Sequence, residues 1–226
     1  MRTYAMIKAK RALDKAEAQR KLQAAREQFL LLPETEKVDL RVCQMQDLLT
    51  EISDSSLDAI VSDPPEECAR FYGELAELAA TALKPRGTLA VTCGQGHLPQ
   101  VLAEMAEHIP YRWTMCYLAV DQAVQVWDSN VSTSWKPLLV FGRGQKWMGD
   151  VVKGDMEKLV ERLTEPGMLV CDPFLGPGEI AVACVNLTRR IIGCDADKSR
   201  VEKARARTTL ARRSDPRVCG RAVAFL

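Results

Sequence analysis

The chain has 226 residues, with 31 Lys and Arg against 30 Asp and Glu, 47% hydrophobic residues and eight cysteines. That length and composition suit one globular domain with an appended segment, and they exclude a disordered or fibrous chain. The net charge of +1 hides a polarity: residues 1–37 carry +4, residues 38–197 carry −10 and residues 198–226 carry +7.

In chain order, Met6 to about Leu32 is rich in Ala, Lys, Arg, Gln and Glu, with no Gly or Pro before Pro33. The pattern predicts a long helix whose apolar stripe is mostly alanine, outside the main core. Pro33-Glu34-Thr35-Glu36 ends it and begins a linker. Strands and helices then alternate. Leu40–Cys43 reads as a short strand, Asp47–Ile52 as a helical turn and Leu57–Ser62 as a strand stopped by Asp63-Pro64-Pro65. A helix from about Arg70 to Leu83 leads through Lys84-Pro85-Arg86-Gly87 into the strand Thr88–Cys93. A helix over Pro99–His108, a strand over Tyr111–Leu118, the loop Asp121–Ser134 and a strand over Trp135–Gly142 follow. The rest reads as helix Met156–Leu163, strand Met168–Asp172, a glycine turn, helix Glu179–Leu187, strand Arg190–Cys194 and a helix from about Ser199 to Arg212. About seven strands interleaved with helices predict an α/β fold, a Rossmann-like doubly wound and mainly parallel sheet with an N-terminal helical extension. The expected divisions are 1–36 for the basic helix and linker, 37–213 for the main domain and 214–226 for a tail.

The cysteines lie mostly inside aliphatic stretches, with no CxxC pair, and read as reduced core thiols of a cytoplasmic protein. With only two histidines a zinc centre is not expected. No apolar run nears the roughly 20 residues of a membrane span, and the charged start is unlike a secretion signal.

Two constellations carry chemistry. The first is Val170-Cys171-Asp172-Pro173-Phe174-Leu175-Gly176-Pro177-Gly178-Glu179, between a strand and a helix, where open α/β sheets bind ligands. Glycine lets the backbone pass close to a ligand, and a helix start offers free N–H groups. The next strand ends in Asp195, whose carboxylate can accept from two ribose hydroxyls, so the pattern suits an adenosine-bearing ligand. Gly176-Pro177-Gly178-Glu179-Ile180-Ala181 also satisfies GxGxxA, which keeps a nicotinamide oxidoreductase open as an alternative. That fold needs several strand–helix units after the fingerprint, and only about thirty residues follow Asp195. The second constellation is Ser62-Asp63-Pro64-Pro65 at the end of an apolar strand. Taken alone it is equally a strand-terminating turn.

Together these residues resemble the amino-methyltransferases of DNA, which use S-adenosylmethionine to methylate N6 of adenine or N4 of cytosine. The family marks are an Asp-Pro-Pro-Tyr tetrapeptide and an Asp-Pro-Phe-x-Gly-x-Gly loop, and here the catalytic segment comes first. The resemblance runs from about Val38 to Leu210. It implies that Asp63, Pro64, Pro65 and Glu66 form the catalytic segment, and that Asp172, Phe174, Gly176 and Gly178 wrap the cofactor. It also implies that Asp195 binds the cofactor's ribose and that Asp47 matches an acid near its adenine; Glu179, by its negative charge at the helix start, can pair with the cofactor's methionine ammonium. DNA is the implied partner, held by the basic termini and the 121–134 loop, with a partner subunit or a homodimer also open and no membrane association.

The chain departs from the family at Glu66, where an aromatic should stack on the extruded base. Pro177 and Glu179 also replace small hydroxyl residues, and the stretch Lys153-Gly154-Asp155-Met156 is short. An active amino-methyltransferase explains both motifs and their order. A methyltransferase-like nucleic-acid-binding or partner subunit with impaired catalysis explains Glu66. Phe71 or Tyr72 could replace the missing aromatic or simply pack a helix. A cysteine-nucleophile cytosine methyltransferase is not expected, because no Pro-Cys pair occurs.

Overall fold

The computed structural model of the chain describes residues 2–65, 71–118, 123–126, 129–144 and 149–213, without the side chains of 2–7, 9, 124 and 213. Its elements are α1 (Arg2–Leu31), α2 (Glu34–Lys37), β1 (Val38–Val42), α3 (Met45–Glu51), β2 (Leu57–Ser62), α4 (Tyr72–Ala82), β3 (Leu83–Thr92) and α5 (Leu98–Ala106). There follow β4 (Tyr111–Leu118), β5 (Val124–Val126), β6 (Val131–Thr133), β7 (Trp135–Gly142), β8 (Val151–Lys153) and α6 (Met156–Leu163). The last four are β9 (Leu169–Asp172), α7 (Glu179–Asn186), β10 (Arg190–Asp195) and α8 (Lys198–Arg213).

All seven expected strands are present, and β8 adds an eighth to the main sheet, whose order is β1-β10-β9-β2-β3-β7-β4-β8. Three residues give β8 too little periodicity to stand out in sequence. Only β7 runs against the others, pairing antiparallel with β3 and β4. The segment expected to be a loop between β4 and β7 forms, in its described part, the antiparallel ribbon β5–β6. The linker after Pro33 holds the single helical turn of α2.

The central strands are apolar on both faces because helices cover both. Ala59 and Val61 of β2 point into one core with α6, α7 and α8, against Leu159, Ala181 and Val201. Ile60 points into the other, with α3, α4 and α5, against Leu48, Leu75 and Met105. The period-two alternation of strand side chains thus sorts a single apolar run between two cores. By contrast α1 buries only Phe29 among its described side chains, as a stripe made mostly of small alanine side chains predicts. Among the described residues no helix is long and apolar enough to cross a membrane.

The pairing of β2 with β9 positions the site. The paired residues lie 111 positions apart in sequence, yet Ala59 aligns with Val170 and Ile60 with Cys171. After β2 the chain crosses to one face of the sheet, and after β9 to the other. Their carboxyl ends therefore part to leave a crevice, the topological switch point at which doubly wound sheets bind ligands.

Candidate active site

Asp63 follows the last residue of β2, where Pro64 and Pro65 remove the N–H groups that a further strand pairing would need. The ladder of β2 on β3, with Ser62 aligned to Val91, brings Thr92 beside Asp63. The Thr92 hydroxyl donates to Asp63 Oδ1. Lys136 Nζ, from the start of the antiparallel β7, stands 4.0 Å from the same oxygen. Pro64 is buried, Pro65 exposed and Phe71 half-buried. Tyr72 points inward instead, 3% exposed, its phenol donating to the Thr92 carbonyl at 2.7 Å.

The second wall is the turn after β9. Asp172 is 1% exposed and accepts from the Ser62 hydroxyl at 2.6 Å and from the Phe174 amide at 3.2 Å. Burial pushes its carboxyl up to about 7, the two hydrogen bonds restrain that rise, and the Asp63 and Asp195 carboxylates add to it. The two glycines of the turn serve different ends. Gly176 has φ +49° and its amide donates to Asp195 Oδ2 at 2.9 Å. Gly178 has φ +83°, and a Cβ there would lie 2.5 Å from the Ala204 Cβ, so only glycine lets α8 pack this close to the start of α7.

Asp195, at the tip of β10, is the hub of the third wall. Its Oδ2 takes the Gly176 amide and its Oδ1 takes the Asp197 amide at 2.9 Å. Arg200 of α8 stands 3.7 Å from Oδ2. Each carboxylate oxygen accepts more than one bond, so lone pairs remain for a ligand's hydroxyls.

One cavity of about 490 Å³ joins these walls, lined among others by Asp63, Pro64, Pro65, Phe174, Gly176 and Asp195. Residues far apart in the chain thus meet on one rim, at a volume within the range of small-molecule sites. Asp172 lies buried next to this lining and acts on it through Ser62 and Phe174. Gly178 and Glu179 sit at the start of α7, outside the lining. Tyr117 is half-buried, and its phenol donates to the Gly154 carbonyl at 2.8 Å. Burial first, then the Asp63, Glu179 and Asp155 carboxylates, raise its pKa. Asp47 is exposed in the first turn of α3 and does not line the cavity, whereas Cys43, Gln44 and Met45 just before it do. Glu66 lies outside the described residues, and so does Trp127, which the sequence offers with Trp135 either as a DNA-facing aromatic or as a packed hydrophobe. Trp135 is half-buried, and its carbonyl accepts from Gln95 and Thr133.

Sequence reasoning missed Thr92, Lys136 and Arg200. A threonine closing a strand and a cation opening one carry no local signature; only strand order brings them to Asp63.

Residues 154–206 match the family model described as DNA methylase. A type II methyltransferase, M2.DpnII of Streptococcus pneumoniae, is 39% identical over 67 residues, which are 28% of this chain and 25% of that enzyme. The chain therefore spans about a quarter of the length of that relative. Among solved structures, the complex of M1.HpyAVI with SAM superposes with a TM-score of 0.64 at 19% identity, covering 75% of this chain and 98% of that one. The cytosine-N4-specific PvuII DNA methyltransferase gives a TM-score of 0.67 at 13% identity, covering 76% and 86%. The match over residues 154–206 is thus to a DNA methylase model, and over about three quarters of its length the chain has the fold of these solved methyltransferases.

Proposed function

We propose that the protein is an S-adenosylmethionine-dependent DNA methyltransferase acting on an exocyclic amine, N6 of adenine or N4 of cytosine. The observation that carries this reading is that Asp63, Pro64, Phe174, Gly176 and Asp195 line one cavity. The donor set fits the cofactor. Asp195 keeps lone pairs for ribose hydroxyls and Phe174 offers an apolar ring, while Glu179, in the first turn of α7 and outside the lining, is the anion assigned to the methionine ammonium. Asp172 holds the turn that carries Phe174 and Gly176. Gln44 lines the cavity at the start of α3, the side assigned to the cofactor's base, with Asp47 three residues on as a surface charge outside the lining.

When bound, the cofactor supplies an electrophilic methyl group on a sulfonium. The protein's task is to prepare the nucleophile. An amine conjugated to a base ring is a poor one, because its lone pair is delocalised. Asp63 and the Pro64 carbonyl accept its two N–H protons, which localises that pair and orients it. The target base leaves the duplex to reach the rim. Phe71, which lines the cavity, is the aromatic available to stack on it, since the fourth position of the catalytic segment is Glu66. The basic α1 and α8 are assigned to DNA phosphates, and the 121–134 segment, which carries no Lys or Arg, to the choice of sequence.

The test is transfer of labelled methyl from S-adenosylmethionine to mixed-sequence duplex DNA, with calorimetry of cofactor binding alongside. Incorporation at adenine or cytosine amine nitrogen is expected. Absence of cofactor binding overturns the reading. A second reading, a partner subunit with impaired catalysis, rests on Glu66; cofactor and DNA binding without transfer would establish it instead.

A further inference from the structure

Two groups meet Asp63 from strands other than its own, and both fall on one oxygen. The Thr92 hydroxyl donates to Oδ1, and the Lys136 ammonium stands 4.0 Å from that same atom. Among the described residues Oδ2 receives no such contact. Asp63 is 46% exposed at the side chain, on a rim where a carboxylate would otherwise rotate freely. Thr92 is unlike it: 1% exposed, the last residue of β3, with its carbonyl held by the buried Tyr72 phenol at 2.7 Å. The hydroxyl is therefore a fixed point, tied through Tyr72 to α4 and through the β3 ladder to the sheet.

We propose that Thr92 is a positioning residue: its hydroxyl locks Asp63 by Oδ1, so that Oδ2 is the oxygen presented to the substrate amine, with Lys136 as a second charge on the locked side. This rests on the amine-methylating reading of the site. Thr92 touches neither base nor cofactor; it acts through Asp63. Lys136 alone could not do this, because an exposed ammonium on a flexible stem is a mobile and solvent-screened partner. The hydroxyl bond is short-range, directional and anchored on a buried strand. Its worth lies in orientation, since small misplacements of a reacting group are costly in rate.

The experiment has two arms. The first is a double-mutant cycle in urea unfolding with Thr92→Val, Asp63→Ala and the pair. A hydroxyl engaged with Asp63 makes Thr92→Val lower the midpoint in the parent chain and much less so in the Asp63→Ala background. Equal shifts in both backgrounds overturn the proposal, because they leave the hydroxyl with packing alone. The second arm is methyl transfer. Thr92→Val is expected to lower kcat roughly 10- to 100-fold with the KM for S-adenosylmethionine unchanged, and Thr92→Ser to restore the lost rate. An unchanged kcat in Thr92→Val, or a loss that Ser does not rescue, also overturns it. If the parent chain transfers no methyl group, the functional reading fails, and the unfolding cycle still decides whether Thr92 holds Asp63.

Discussion

Ser62 at the end of β2 donates its hydroxyl to Asp172 at the end of β9 across 2.6 Å, although 110 positions separate them in the chain. This bond staples the segment proposed as catalytic to the turn proposed to hold the cofactor, since the residue after Ser62 is Asp63 and the amide of Phe174 binds the same Asp172 oxygen. The two motifs thus share one buried carboxylate.

That carboxylate makes stability depend on pH. Asp172 is pushed from its ordinary 3.8 to about 7, mainly by burial. Between those values the folded chain holds a proton that the unfolded chain has released, so stability falls as pH rises through the window and levels off above about 7. The slope is at most about 1.4 kcal/mol per pH unit. Urea midpoints measured from pH 4 to 8 are expected to show this decline, and Asp172→Asn to remove it. Ser62→Ala withdraws a bond from the charged form and should extend the decline to higher pH.

The two glycines of the turn are expected to respond differently to a methyl group. Gly178→Ala drives a Cβ to 2.5 Å from that of Ala204, at φ +83°, and should cost about 2–4 kcal/mol. At Gly176 the nearest atom lies 4.0 Å from the added Cβ and φ is +49°, so Ala there should cost only about 1–2 kcal/mol. Denaturant unfolding of the two variants reads the contrast.

Asp195 bonds two backbone amides and is assigned the ribose hydroxyls. Asp195→Asn keeps the shape but replaces one acceptor oxygen by a donor, setting an N–H against an amide N–H. Calorimetry with S-adenosylmethionine should show binding weakened by roughly 10- to 100-fold, and an unaltered affinity would remove Asp195 from the cofactor site.

On the base side, Asp63→Ala is expected to reduce methyl transfer by about 100-fold or more while cofactor affinity stays near that of the parent chain. Glu66→Tyr restores an aromatic where a base would stack, a contact worth about 1–3 kcal/mol per base, and should raise the rate. Phe71→Ala in that variant should then matter less than in the parent chain. Transfer rates on one duplex compare the parent chain with these variants.

The alternation of apolar strands with helices, and the placing of both motifs at strand ends, were legible along the chain, because two-residue and 3.6-residue periodicities and proline or glycine stops are local. The Glu66 departure was equally plain. Local pattern determined the elements and the chemical vocabulary of the site. Strand order determined its grammar. The antiparallel insertion of β7 between β3 and β4 brings Lys136 to Asp63, the β2–β3 register brings Thr92 there, and the β2–β9 pairing buries Asp172 beneath a motif read as cofactor-facing. None of these is encoded by spacing, because pairing across a sheet is set by burial and ladder hydrogen bonds summed over the whole fold. Which carboxylate meets a ligand and which one bears the strain of burial was decided only in three dimensions.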